Sequence, residues 1–296
     1  MSSRHHILRP RPLLAEPLHR LATRWRSGGV EEYWLGVGES PRYRRWQKRL
    51  LQTEITRHRI RLRGLDPEFG GVRIVQLTDI HHGLYFPVEA LAQTVEIVNR
   101  LEPDIVVVTG DFVTYSRTYI ESAAELLGGV RARLGVFAVL GNHDFRVSAD
   151  QIARELRRSG LELLRNRNTA ITYRRRTLHL AGVDDWNYGA DLNRALRGVP
   201  KNAPTILLSH HPAIIQAAAA RGVGLVLAGH THGGQVNLPV FGTIYGRSPD
   251  RTRFKVGWAR LGATQIYVSR GIGTVVLPVR YRCSPEIPQF TLETAH

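Results

Sequence analysis

Five apolar segments of this chain each stop at a group of acidic, amide or imidazole side chains. "VRIVQLTDIHHG" runs into Asp79 and His81, "DIVVVTGDF" into Asp111, and "GVFAVLGNHDF" into Asn142, His143 and Asp144. "TILLSHHP" runs into His210 and His211, and "VGLVLAGHTH" into His230 and His232. Short runs of β-branched and aliphatic residues bounded by Gly and polar residues read as buried strands. A strand that is apolar on both faces must be covered on both. "PVEALAQTVEIVNRLEP" supplies a covering helix with Val88, Leu91, Val95 and Val98 on its buried stripe. "SADQIARELRRSG" supplies another, opened by a capping box of Ser148 and Gln151 and closed at Gly160. Strand and helix alternate through the first half, and strands such as "TLHLAGV" and "QIYVSRG" predominate afterwards. The plan is α/β, with buried strands and helices outside.

In open α/β sheets, ligands bind beyond the carboxyl ends of the strands. Seven of the chain's 13 histidines, His82 included, lie in these five stretches. Packing does not account for that clustering, because each polar group directly follows a run that must be buried. The single Cys283 excludes an internal disulfide and a thiolate-rich metal site. Any metal is therefore held by His, Asp, Asn and water, a donor set that suits Mn, Fe, Zn, Co or Ni. A carboxylate with both oxygens free bridges two ions roughly 3.5–4 Å apart. Asp111 is the bridge candidate, since Gly110 lets the backbone approach closely.

The segments "DIH" (79–81), "GDF" (110–112), "GNHD" (141–144), "SHHP" (209–212) and "GHTHGGQ" (229–235) resemble the calcineurin-like metallophosphoesterases in order and spacing. That resemblance implies a four-layer α/β/β/α sandwich, two mixed sheets face to face with helices outside. It assigns Asp79, His81 and His232 to one divalent ion and Asn142, His210 and His230 to another, with Asp111 shared. His230 and His232 then serve separate ions only if the backbone bends between them, which Gly229, Gly233 and Gly234 permit. It also makes His143 the group that reaches substrate, as general acid or as a cation near the leaving oxygen. Asp144 is expected to orient His143 or to stand as a plain surface carboxylate.

The C-terminal text "SRGIGTVVLPVRYRCSPEIPQFTL" narrows the resemblance to a single-domain bacterial branch. That branch includes phosphodiesterases similar to UDP-2,3-diacylglucosamine hydrolases, which split a pyrophosphate in lipid A synthesis. Arg270 and Arg280 are candidates for phosphate contact or for structural ion pairs.

Charge is unevenly placed. The net charge is +16, and residues 1–65 carry 15 Lys/Arg against 5 Asp/Glu. Residues 1–52 read as a basic appendage with Trp25, Trp34 and Trp46, and residues 53–296 as the catalytic domain. Two short amphipathic helices are expected in the appendage, within "EPLHRLATRWRSGG" and "SPRYRRWQKRLLQ". They either dock on the protein's own surface or lie in an anionic membrane interface. No run approaches the roughly 18 apolar residues of a spanning helix, and no secretory h-region is present. These features suit a cytoplasmic enzyme peripheral to the inner membrane face, acting on a phosphodiester or pyrophosphate of a lipid-linked substrate. A metal-dependent nuclease is the alternative within the same chemistry. The positive charge lies mainly outside the catalytic region and no aromatic–basic platform adjoins the motifs, which disfavours nucleic acid as partner. A catalytically silent membrane- or partner-binding module with structural metals is the alternative outside it.

Overall fold

The computed structural model describes residues 53–239, 242–243 and 254–294; the appendage 1–52, with both its expected helices, lies outside them. In chain order the first half holds β1 (Glu54–Arg61), β2 (Arg73–Leu77), α1 (Val88–Arg100), β3 (Ile105–Thr109), α2 (Ile120–Gly128), β4 (Val136–Val139), α3 (Asn142–Arg158) and β5 (Glu162–Leu163). There follow β6 (Arg167–Tyr173), β7 (Arg176–Gly182), α4 (Leu192–Ala195), β8 (Thr205–Leu208), α5 (Ile215–Ala220) and β9 (Leu225–Ala228). The last elements are β10 (Asn237–Leu238), β11 (Gly242–Thr243), β12 (Gly257–Leu261), β13 (Thr264–Val268) and β14 (Glu286–Glu293).

Among the described residues, two six-stranded sheets form, in the orders β1-β14-β2-β3-β4-β5 and β12-β13-β9-β8-β7-β6. In the first, β2 to β5 are parallel, β14 runs antiparallel to β2, and β1 runs parallel to β14. In the second, β13, β9, β8 and β7 are parallel, with antiparallel partners β12 and β6 at the two edges. Both sheets are mixed.

Side chains alternate across each strand, and that period of two builds the layers. From β3, Ile105 and Val107 enter the core between the sheets, where they join Phe137, Leu180, Leu208 and Leu227. Val106 and Val108 point the other way, onto Leu91, Leu127 and Ile152 of α1, α2 and α3. On the far side, Leu207, Val226 and Ile266 pack beneath Leu192, Ile215 and Ala218 of α4 and α5. The result is the expected α/β/β/α sandwich. Truncating one of the inter-sheet leucines to alanine costs about 2–5 kcal/mol. Among the described residues, no helix is long and apolar enough to cross a membrane.

Two helices depart from the sequence reading. Val88 is 45% exposed because it opens α1, and the buried stripe comprises Leu91, Thr94, Val95 and Val98. The helix expected from Ser148 begins at Asn142, and Ser148 instead interrupts it with extended backbone (φ −179°, ψ 87°). The earlier start has a cause. Asp144, at the third helical position, accepts the otherwise unpaired Gly141 N–H at 2.9 Å. Asn142 and His143 therefore project from a first helical turn instead of trailing from a strand.

Candidate metal centre

Directly beyond the strand ends the backbone turns sharply. Asp79, His81, Asp111, His230 and His232 all have positive φ, between 49° and 72°. Such conformations cost non-glycine residues about 1–3 kcal/mol each, and they persist where the surroundings over-determine them. The surroundings do so here. Asp79 N–H donates to Gly110 O (3.0 Å) and His81 N–H to Asp111 O (2.9 Å), so the turns after β2 and β3 stay laced together. A Cβ on Gly110 would lie 2.6 Å from Gly141 N, and one on Gly229 2.4 Å from Asp79 Oδ2. These two positions admit only glycine.

The bend in "GHTH" separates its two imidazoles. His232 Nε2 lies 3.2 Å from Asp79 Oδ1 and 3.0 Å from His81 Nε2. His230 Nδ1 lies 2.9 Å from Asn142 Oδ1 and 3.2 Å from His210 Nε2. Between the two clusters sits Asp111. Its Oδ2 is 3.6 Å from His81 Nε2 and 3.2 Å from His210 Nε2, while Oδ1 accepts the His143 N–H at 2.9 Å. Donor atoms of Asp79, His81 and His232 lie within 4.8 Å of one another, as do those of Asp79, Asp111 and His210. All seven residues singled out as metal-ligating from the sequence are thus brought together.

Neighbouring groups fix the orientation of the rings. Thr109 O can only accept, so His210 must place its proton on Nδ1 (2.8 Å), leaving Nε2 to face Asp111. Thr114 Oγ1 engages His81 Nδ1 at 2.6 Å. The Asp79 carboxylate accepts the Thr78 hydroxyl at 2.9 Å and the His230 N–H at 3.0 Å.

Charge at this site is far from its solution balance. Burial works against both carboxylates, yet the histidines overcome it: His232 and His210 hold Asp79 below its ordinary range, and His210 and His143 hold Asp111 well below it. Burial also opposes a charge on His210, but Asp111 overrides it and pushes the imidazole up to about 10. Burial, with His210 and His211 nearby, lowers His230 to about 3, and burial lowers His81 strongly. Two dry carboxylates thus draw positive charge onto the buried His210, while burial keeps His230 and His81 neutral. Imidazole nitrogens and carboxylate oxygens roughly 3 Å apart suit a divalent cation at about 2.0–2.2 Å from each donor, whose binding would displace the His210 proton. The residues fit a metal.

His143 rests at the first turn of α3, its ring edge-on to His81 with centroids 5.0 Å apart. Burial lowers its pKa, partly opposed by Asp111. Asp144 does not orient it. The Asp144 carboxylate instead accepts the backbone N–H groups of Asp111 (2.8 Å), Phe112 (2.9 Å), Val113 (3.4 Å) and Gly141 (2.9 Å). It is buried, not a surface group; burial and then the Asp111 charge push it up to about 8. It shapes the loop that presents Asp111.

Other candidates settle elsewhere. His82 spends both ring nitrogens on Phe86 O and Ser122 Oγ, and His211 caps the turn Pro212–Ile214 by accepting the Ala213 N–H. Arg270 is ion-paired to Glu54 and Glu286. Arg280 is buried on backbone carbonyls, with no carboxylate partner among the described residues. Neither arginine presents itself as a phosphate contact. The sequence reading missed Thr114, for which no motif gives a signal. It also missed Gln235 as a clamp, holding Val275 N–H and the carbonyls of Val275 and Leu277.

Residues 72–234 match the family described as calcineurin-like phosphoesterase. The chain is 33% identical over 248 residues to an uncharacterized metallophosphoesterase, YkuE, of Bacillus subtilis, covering 82% of this chain and 86% of that one. It is 28% identical to phosphodiesterase YaeI of Escherichia coli, covering 81% and 88%. It is 35% identical to a transmembrane protein with metallophosphoesterase domain from Danio rerio, covering 78% of this chain but only 55% of that protein. Fold, donor set and sequence agree: the chain belongs to the calcineurin-like metallophosphoesterases and is a metal-dependent phosphoester hydrolase.

Proposed function

We propose that the protein hydrolyses a phosphodiester or pyrophosphate bond at a pair of divalent cations. Asp79, His81 and His232 hold one, Asn142, His210 and His230 hold the other, and Asp111 is shared. The observation that carries this reading is the position of Asp111 Oδ2, within 3.6 Å of His81 Nε2 and 3.2 Å of His210 Nε2, so that one oxygen faces both clusters. Cations bound there supply Lewis acidity to phosphoryl oxygens and lower the pKa of water toward neutrality. The chain's own residues do the rest. Asp144 sets the loop that aims Asp111, and Thr109, Thr114 and Thr78 fix His210, His81 and Asp79. His143 delivers a proton to the departing oxygen. Burial lowers the proton affinity of its ring, and an adjacent phosphate anion raises it for that step.

A diester is favoured over a monoester by the likeness to the Escherichia coli protein named a phosphodiesterase. A lipid-linked substrate is supported by exposed aromatic residues near the site. Tyr115, 40% exposed, has its ring 6.3 Å from His143, and Tyr188, 37% exposed, stacks on Phe145, two residues beyond His143 in the chain. Residues 1–52, basic and Trp-containing, form a separate appendage to the catalytic domain 53–296 and hold the enzyme to the anionic cytoplasmic leaflet.

Hydrolysis of bis-p-nitrophenyl phosphate with added Mn2+ tests the chemistry, with turnover expected; no turnover with any divalent metal overturns it in favour of a silent binding module. A panel of a UDP-linked acyl sugar, phospholipids, nucleotides and single-stranded DNA tests the substrate. Preference for DNA there would replace the lipid reading with that of a nuclease.

A further inference from the structure

Arg280 is 2% exposed, and among the described residues its guanidinium meets no carboxylate. Burying an unpaired cation is unfavourable unless its donors are well satisfied. Here Nε donates to Gly273 O at 2.9 Å, one terminal nitrogen to Gly273 O at 2.6 Å and Arg270 O at 2.8 Å, and the other meets Cys283 Sγ at 3.8 Å. The carbonyls it grips belong to the segment Arg270–Gly273, which forms a wall against Asp79. Gly273 N–H donates to Asp79 O at 2.8 Å and Ile272 N–H to Thr78 O at 3.2 Å. A Cβ on Gly271 would stand 2.6 Å from Asp79 Cβ, and one on Gly273 2.1 Å from Ile80 O. The wall touches Asp79 with no slack.

The other arm of the guanidinium leads to His232. Cys283 Sγ, beside it, lies 3.1 Å from His232 O and 3.5 Å from Gly233 O. Gly233 itself is pressed between Arg270 and Cys283, where a Cβ would meet Arg270 Cγ at 2.7 Å and Cys283 Sγ at 2.9 Å. One buried cation therefore backs both Asp79 and His232. None of its bonds reaches Asp111, Asn142, His210 or His230.

We infer that Arg280 is a positioning residue for one of the two cations: by gripping the carbonyls of Arg270 and Gly273 and leaning on Cys283, it sets the spacing of Asp79 and His232. It tunes the affinity of the cation that these two hold with His81, and leaves the other cation unaffected. This role rests on the two-cation reading above. Lysine cannot substitute, because a single ammonium group lacks the planar fork that spans two carbonyls and a sulfur.

The test uses the full chain and Mn2+ alone as probe, with bound metal counted by equilibrium dialysis. Wild type takes up two ions. Arg280→Lys is expected to keep one at wild-type affinity and to bind the other about 10–100-fold more weakly, with turnover restored by excess Mn2+. His210→Ala provides the reference for a chain left with the first cluster alone. Combining it with Arg280→Lys should leave a chain whose one remaining ion is bound about 10–100-fold more weakly than in His210→Ala. If the double variant binds its ion as tightly as His210→Ala does, or if Arg280→Lys weakens both ions equally or neither, the role is overturned. Circular dichroism and melting of the metal-free proteins report whether Arg280→Lys folds. Should it not, Cys283→Ala decides, because it removes the sulfur that links Arg280 to the His232 carbonyl and leaves the buried guanidinium in place: selective weakening of one ion supports the role, and uniform or absent weakening overturns it. A wild-type chain that takes up fewer than two Mn2+ overturns the two-cation reading and this role with it. Two in wild type with equal losses in the variants overturns the Arg280 role alone.

Discussion

The two donor clusters are supported from different parts of the chain. Asp79 and His232 are backed by the late connection through Arg270, Gly273, Arg280 and Cys283. His210 and Asp111 are backed by the core itself, through Thr109 O at the end of β3 and Asp144 in the first turn of α3. Half of the site thus depends on how a long loop packs, and half on elements that the hydrophobic layers hold rigid. Asp111 joins the halves.

Breaking the join should have the largest effect. Asp111→Asn is expected to lose metal at both clusters and to reduce turnover beyond the about 10²–10⁴-fold that a general acid contributes. Metal analysis beside a turnover assay checks this, and an active, fully metallated variant would contradict it. His143→Ala should retain both ions while kcat falls by about 10²–10⁴-fold; intact turnover would remove His143 from the chemistry. Asp144→Asn probes the core-supported half. An amide presents its NH2 toward backbone N–H donors, each left unsatisfied at about 1–3 kcal/mol, so a lower melting temperature and weaker metal binding are expected. His82→Asn stands outside both halves. It should keep metal content and kcat and lose stability alone, as thermal melting and metal analysis together would show.

The smallest effect is in pH. In the metal-free protein His210 is raised from its ordinary 6.5 to about 10 by Asp111. A group whose folded pKa is raised stabilises fully below its unfolded value and loses that contribution as pH climbs through the folded one. The metal-free melting temperature should therefore decline between about pH 6.5 and 10, and Mn2+ should flatten the decline by displacing the proton. A flat metal-free profile would contradict the Asp111–His210 charge pair.

The strand ends were legible because apolar runs stopping at His, Asp and Asn leave few explanations besides a shared site, and because Gly110 and Gly229 flag close approach. The layered core followed from strands apolar on both faces. What escaped depends on direction in space. Asp144 reads identically in sequence whether it turns toward His143 or back over the Asp111 loop. Arg280 sits in an apolar run like many surface arginines, and only the packed loop reveals that carbonyls enclose it. The early start of α3 hinged on Asp144 accepting the Gly141 N–H, which the stronger capping signal at Ser148 masked.

The position of β14 has a consequence for synthesis. Among the described residues, β1 has no neighbour in its sheet except β14, which separates it from β2. While a ribosome is still releasing the chain, both edges of β1 stay bare, and the sheet beneath Asp79 closes only after residues 286–293 emerge. The first strand of the domain thus waits for the last before its sheet is complete.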